Sequence, residues 1–103
     1  MTIPEALAVV LSAALRNPEH RMEHLRHFQR SVWNRPEDPD EDGDIWETLG
    51  DLAHDLDFYE PDPVVRTEDP SYYGDQRFED EVRAGLRKLQ ERGVRIPPSE
   101  QYE

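Results

Sequence analysis

Three histidines and a crowd of carboxylates are the residues whose types and spacing could do chemistry. His20, His24 and His27 recur at i, i+4 and i+7, with Glu19 and Glu23 beside them. On a helix that spacing sets several imidazoles along one side, and two histidines four apart are a common start to a zinc site. The same stretch is interleaved with Arg21 and Arg26, while Met22, Leu25, Phe28, Gln29, Val32 and Trp33 gather on the opposite face. A metal there would lack an enclosing shell, so the spacing predicts a solvated helix face, with no metal and no other cofactor. Asp38, Asp40, Asp42 and Asp44 alternate as in a calcium loop, but the twelfth position from Asp38 is Leu49 where Glu is needed. The chain has no Gly-x-Ser-x-Gly, P-loop or dinucleotide glycine pattern, and no cysteine for a thiol nucleophile or a disulfide. A catalytic carboxylate needs a pocket that perturbs it, and these lie in loops or on a polar helix side. The expectation is a protein that is not an enzyme.

What the carboxylates can do together is make a field. The formal net charge is −12, and residues 37–81 hold 18 Asp and Glu against Arg66 and Arg77 alone. Within that span Asp44, Glu47, Asp51 and Asp55 step by three or four along one side of a helix. Its other side carries Ile45, Leu49, Leu52, Leu56 and Tyr59. Glu60, Asp62, Glu68 and Asp69 carry the charge on into a proline-punctuated loop that ends at Tyr72-Tyr73-Gly74. Such a surface repels nucleic acid and anionic membranes, and it attracts a strongly positive partner. Tyr72 and Tyr73, side by side in a polar loop, are candidate anchors for that partner. The competing reading is that they pin the loop to the helices. Arg66, nearly alone among carboxylates, is expected to tie the loop together through local pairs.

The elements that must position these residues are helices. Thr2-Ile3-Pro4-Glu5 has the spacing of a capping box, and the nearly unbroken apolar run from Ala6 to Leu15 predicts a helix buried on most sides. Asn17-Pro18 ends it, Asn17 being placed to cap a second helix that runs to about Trp33. Residues 37–43 read as a charged loop. A third helix is expected from about Asp44 to Tyr59, after which Pro61 and Pro63 predict an extended path with Val64 and Val65 tucked inward. A fourth begins near Asp75 with a seam of Phe78, Val82, Leu86 and Leu89, and Gly93-Val94 has the form of a Schellman stop. Trp33 and Trp46 are expected at the core edge. The pattern predicts an all-α fold, a compact antiparallel four-helix bundle with a long acidic loop between helices 3 and 4. Residues 1–96 form its single domain and 97–103 a flexible tail. With no apolar run long enough to span a bilayer and no signal-peptide pattern, the chain reads as a cytoplasmic, soluble monomer.

From Phe58-Tyr59-Glu60-Pro61-Asp62 through Arg66, the acidic loop and the helix to Leu89, the sequence resembles the colicin D-type bacterial immunity family. The resemblance covers roughly residues 45–90. It implies a helical bundle that binds the transfer-RNA-cleaving nuclease domain of a cognate toxin and blocks its basic cleft. It further implies that Glu60, Asp62, Glu68 and Asp69 stand where substrate phosphates would lie. The long acidic run at 37–44 departs from the pattern and leaves the toxin's chemistry open. Two other classes compete. One is an acidic adaptor or nucleic-acid mimic that regulates a host nucleic-acid-binding protein; the other is a small metal-dependent enzyme built on the histidine helix.

Overall fold

The computed structural model describes residues 2–35 and 43–96. Of the loop expected at 37–43, Gly43 instead opens a helix and the rest lies outside the described residues, as does the expected tail at 97–103. Helix α1 spans Ile3–Arg16, α2 Arg21–Trp33, α3 Gly43–Leu56, α4 Pro63–Arg66 and α5 Asp75–Glu91, with a 3₁₀ turn at Pro18–His20. The fold is all-α. Among the described residues there is no strand, and one isolated parallel bridge joins Tyr59 to Tyr73. Helix α1 packs on α2 and α5, and α3 packs on the same two, so the four long helices close into a ring.

The ends of these helices follow from their sequences. The Thr2 hydroxyl accepts from the Glu5 N–H at 3.2 Å, while the Thr2 N–H donates to the Glu5 carboxylate at 2.8 Å. That donated bond, the largest effect, holds the Glu5 carboxyl below its usual pKa. At the other end of the chain Gly93 adopts φ +94°, in the left-handed region. The Val94 N–H reaches back to Leu89 O at 2.9 Å and the Gly93 N–H to Gln90 O at 3.0 Å. Val94 and Leu89 are both buried, so the Schellman stop also closes one end of the core.

The core collects Leu7, Leu11 and Leu15 of α1 with Leu25, Phe28 and Val32 of α2. Trp46, Leu49, Leu52 and Leu56 of α3 and Phe78, Val82, Leu86 and Leu89 of α5 complete it. Several expectations need correction. Helix α1 is half-buried only: Val9 and Ile3 are exposed, because α1 has neighbours on two sides. The Asn17 side chain forms no cap for the following turn; its Nδ2 donates back to Ala13 O at 3.2 Å and closes α1 instead. Trp33, the last residue of α2, is 53 % exposed rather than at the core edge. Helix α3 stops at Leu56, so Tyr59 reaches the core from a turn. Pro63 opens a helical turn rather than extending the chain. Asp62 caps that turn by accepting from the Val64 N–H at 2.8 Å, and Val64 points outward, 73 % exposed.

Candidate protein-binding surface

The α3 row comes first. Asp44, Glu47, Asp51 and Asp55 are all exposed, because Trp46, Leu49, Leu52, Ala53 and Leu56 fill the inward side of the same helix. The row is not uniformly bare. Asp44, Glu47 and Asp51 border a hollow of about 440 Å³ that Lys88 and Glu91 of α5 and Arg92 just after it also line, and Arg92 Nη1 lies 3.9 Å from Asp44. These basic residues thus offset the N-terminal part of the row. At the C-terminal end Asp55 borders a second hollow of about 330 Å³ with Phe58, Pro70, Ser71, Tyr73, Arg77 and Glu81. The Asp55 carboxylate has no hydrogen-bond or ion-pair partner among the described residues.

The loop between α3 and α5 is clamped at its neck. The Glu60 N–H donates to Tyr73 O at 2.9 Å and the Tyr73 N–H to Phe58 O at 3.0 Å, which makes the parallel bridge. Two tyrosines lock that neck to the helices. The Tyr59 hydroxyl donates to Asp75 Oδ1 at 2.5 Å, and the Tyr73 hydroxyl donates to Asp55 O at 2.6 Å. Burial, first of all, pushes both phenols up to about 12; for Tyr59 the bond to Asp75 adds to it, and for Tyr73 the charges of Glu81 and Asp55. Of the two expected anchors, then, Tyr73 is a buried pin of the loop. Tyr72 is exposed and available.

Beyond the neck, Asp62 caps α4 and Asp69 accepts from the Ser71 N–H at 2.8 Å, so two loop carboxylates are fixed by the turns they make. Glu68 and Asp62 are exposed, and Glu60 and Asp69 half-buried. Arg66 makes no ion pair among the described residues, contrary to the expectation of local pairs. Its guanidinium instead occupies the space that a side chain at position 74 would fill. Gly74 leaves room for that close approach, and a side chain there would make the guanidinium move aside.

Two residues of α2 whose roles sequence reasoning missed hold this surface to its scaffold. Arg21, placed with the histidines above, is buried on the apolar side. Its Nε and Nη2 donate to Ala14 O and Leu15 O at 2.9 and 3.0 Å, its Nη1 donates to Asp75 at 3.2 Å, and it stacks 4.9 Å from the Phe78 centroid. One guanidinium therefore joins the C-terminus of α1 to the N-terminus of α5, the cation lying against the negative end of α1 and bonding α5 through Asp75, an anion suited to that helix's positive end. The signal was present: Arg21 precedes Leu25, Phe28 and Val32 by four, seven and eleven, on their own face. Gln29 is the second, its Nε2 donating to Ala53 O at 3.1 Å and tying α2 to α3.

The histidines gather nothing. His20 and His27 are exposed and His24 half-buried, and among the described residues no three His, Cys, Asp or Glu are placed to hold a metal ion. No helix among the described residues is long and apolar enough to cross a membrane. No family model, no curated protein and no solved structure matches the chain.

Proposed function

We propose that the protein is a stoichiometric inhibitor, an immunity protein of the colicin D type that neutralises a cognate nuclease toxin by covering its basic cleft. In this reading it is a cytoplasmic monomer and not an enzyme. Helices α1, α2, α3 and α5 form an antiparallel four-helix bundle whose long acidic connection is the 57–74 segment. One observation carries the proposal. Asp55, the last carboxylate of the α3 row, shares a hollow with the loop residues Pro70 and Ser71 and with Glu81 of α5. The end of the helix row therefore meets the loop at that hollow, which Arg77 also lines, and the clamped neck holds the loop beside it before any partner arrives. A preorganised anionic surface competes with phosphates for a basic cleft at low ordering cost, and its field speeds capture. Glu60, Asp62, Glu68 and Asp69 stand for phosphates here, with Asp55 beside them and Tyr72 as the exposed anchor.

The test begins with pull-down from the native cell and identification of what is held. A nuclease toxin domain supports the reading; a host repressor or polymerase replaces it with the acidic adaptor. With the partner in hand, association and dissociation rates are compared between variants. Changing Glu60, Asp62, Glu68 and Asp69 together to Lys is expected to weaken capture without loss of helix content. The Glu19→Lys, Glu23→Lys pair on the histidine face is expected to change little. The opposite pattern would put the interface on α2 and sink the proposal.

A further inference from the structure

The hollow at the C-terminal end of α3 has features that the rest of the acidic surface lacks. Phe58, Pro70 and the ring of Tyr73 give part of its wall apolar and aromatic character, and two carboxylates, Asp55 and Glu81, border it. It already contains a cation of the chain's own. The Arg77 guanidinium lies 5.0 Å from the centroid of Tyr73, and its Nε meets Glu81 Oε1 at 3.4 Å. That contact is loosely held. The Arg77 side chain is 66 % exposed and its one ion pair is a surface i, i+4 pair, a kind that contributes little. Asp55, across the hollow, is left without a partner. By contrast the hollow near Asp44 has two basic residues, Lys88 and Arg92, and no aromatic wall.

We infer that this hollow is a receptor for one arginine side chain of the partner protein, and that Arg77 is its resident placeholder. The inference rests on the proposed inhibitory reading for the source of that arginine. The chemistry is specific to a guanidinium. A planar, weakly hydrated cation stacks on the Tyr73 face, while its edge donates to Asp55 and Glu81. Its alkyl stem lies against Phe58 and Pro70. On binding, Arg77 swings into solvent at small cost, because it gives up one long ion pair and a half-exposed stack. The incoming group gains a carboxylate that Arg77 does not reach. Both carboxylates act on the same spot, since their charges add to the burial that raises the Tyr73 phenol.

The experiment titrates the full chain with N-acetyl-arginine amide and, separately, N-acetyl-lysine amide, following backbone amide shifts of Phe58, Ser71, Tyr73 and Arg77. The expected result is saturable movement of these amides, with arginine bound several-fold more tightly than lysine. Arg77→Ala is expected to tighten arginine binding, and the Asp55→Asn, Glu81→Gln pair to weaken it about tenfold, the effect of losing charge-assisted hydrogen bonds. The same spectra report that each variant is folded. Shifts that fail to saturate, equal response at Asp44, Glu47 and Lys88, or an unchanged affinity in Arg77→Ala would overturn the assignment. If the probe fails while a toxin is still captured, this site falls and the inhibitory reading stands. Should the probe bind where no toxin is captured, the receptor is upheld and the inhibitory reading is lost.

Discussion

Arg21 shows how much of this fold depends on single polar groups. Its guanidinium satisfies two carbonyls at the end of α1 and faces Asp75 and Glu79 of α5. Replacing it with Met keeps the packing on Phe78 but leaves both carbonyls unpaired. Arg21→Met is therefore expected to lose about 2–4 kcal/mol of stability in urea unfolding. Arg21→Lys should recover little, because an ammonium cannot reproduce the planar fork. The tyrosines make a second prediction, this time with pH. Tyr59 and Tyr73 have phenols raised to about 12 in the fold from an ordinary value of 10.0. A raised value means the folded state holds the proton more tightly. Their contribution is complete below pH 10.0 and is lost as pH rises toward 12. Tyrosinate absorbance should show two late phenols that ionise together with loss of helix, one fewer in Tyr59→Phe or Tyr73→Phe. Early ionisation of all tyrosines in folded protein would contradict the buried neck. The burial of Arg21 was legible in its spacing, and a pin was one of two readings of Tyr73; the partners of Arg21 and Tyr59 were not legible, since they lie in other elements and spacing reports only on a residue's own helix.

At the scale of elements the sequence was more informative. The capping box at Thr2 and Glu5, the seam from Phe78 to Leu89 and the Schellman stop at Gly93 are local devices, and each formed as its spacing predicts. The expectations that failed concern what lies across from an element. Trp33 had the right periodicity but lies exposed at the end of α2, and Pro63 began a turn because Asp62 before it could cap one. The glycines divide along the same line. Within α3, a methyl at Gly50 meets nothing within 4 Å, so Gly50→Ala is expected to stabilise by about 1 kcal/mol through helix propensity. At Gly93 a methyl also meets nothing, yet the positive φ makes Gly93→Ala destabilising by about 1–2 kcal/mol. At Gly85 a methyl would fall 2.5 Å from Leu52 Cδ2, so Gly85→Ala must displace Leu52 between α3 and α5. Thermal melts of the three variants check the signs. A destabilised Gly50→Ala or a neutral Gly85→Ala would contradict the α3–α5 packing.

For the whole molecule, the ring of four long helices means that no helix contributes its core alone. Leu52→Asp or Leu86→Asp places an unpaired charge between α3 and α5 and is expected to abolish the cooperative melt. Its retention in either variant would count against that packing. The overall charge distribution predicts behaviour in solution. Capture of a basic partner should slow steeply as salt rises, through the association rate, while Tyr72→Ala should act on dissociation. A salt-independent association rate would remove electrostatics from the proposed mechanism. The charge asymmetry was plain in the sequence. That the end of α5 and the residue after it return Lys88 and Arg92 to the N-terminal part of the α3 row required the fold.

The two backbone bonds that join residues 58–60 to Tyr73 have a consequence for how such a protein can change. They seal the loop as a closed cassette, and the seal involves main-chain atoms rather than the identity of the residues enclosed. Insertion inside the cassette adds only the slow, logarithmic entropy of a longer ring, roughly 0.6 kcal/mol for each doubling. A protease nick within it should leave the helices assembled and the two fragments held together. Substitutions among the enclosed residues should therefore alter the surface they present without altering the scaffold beneath.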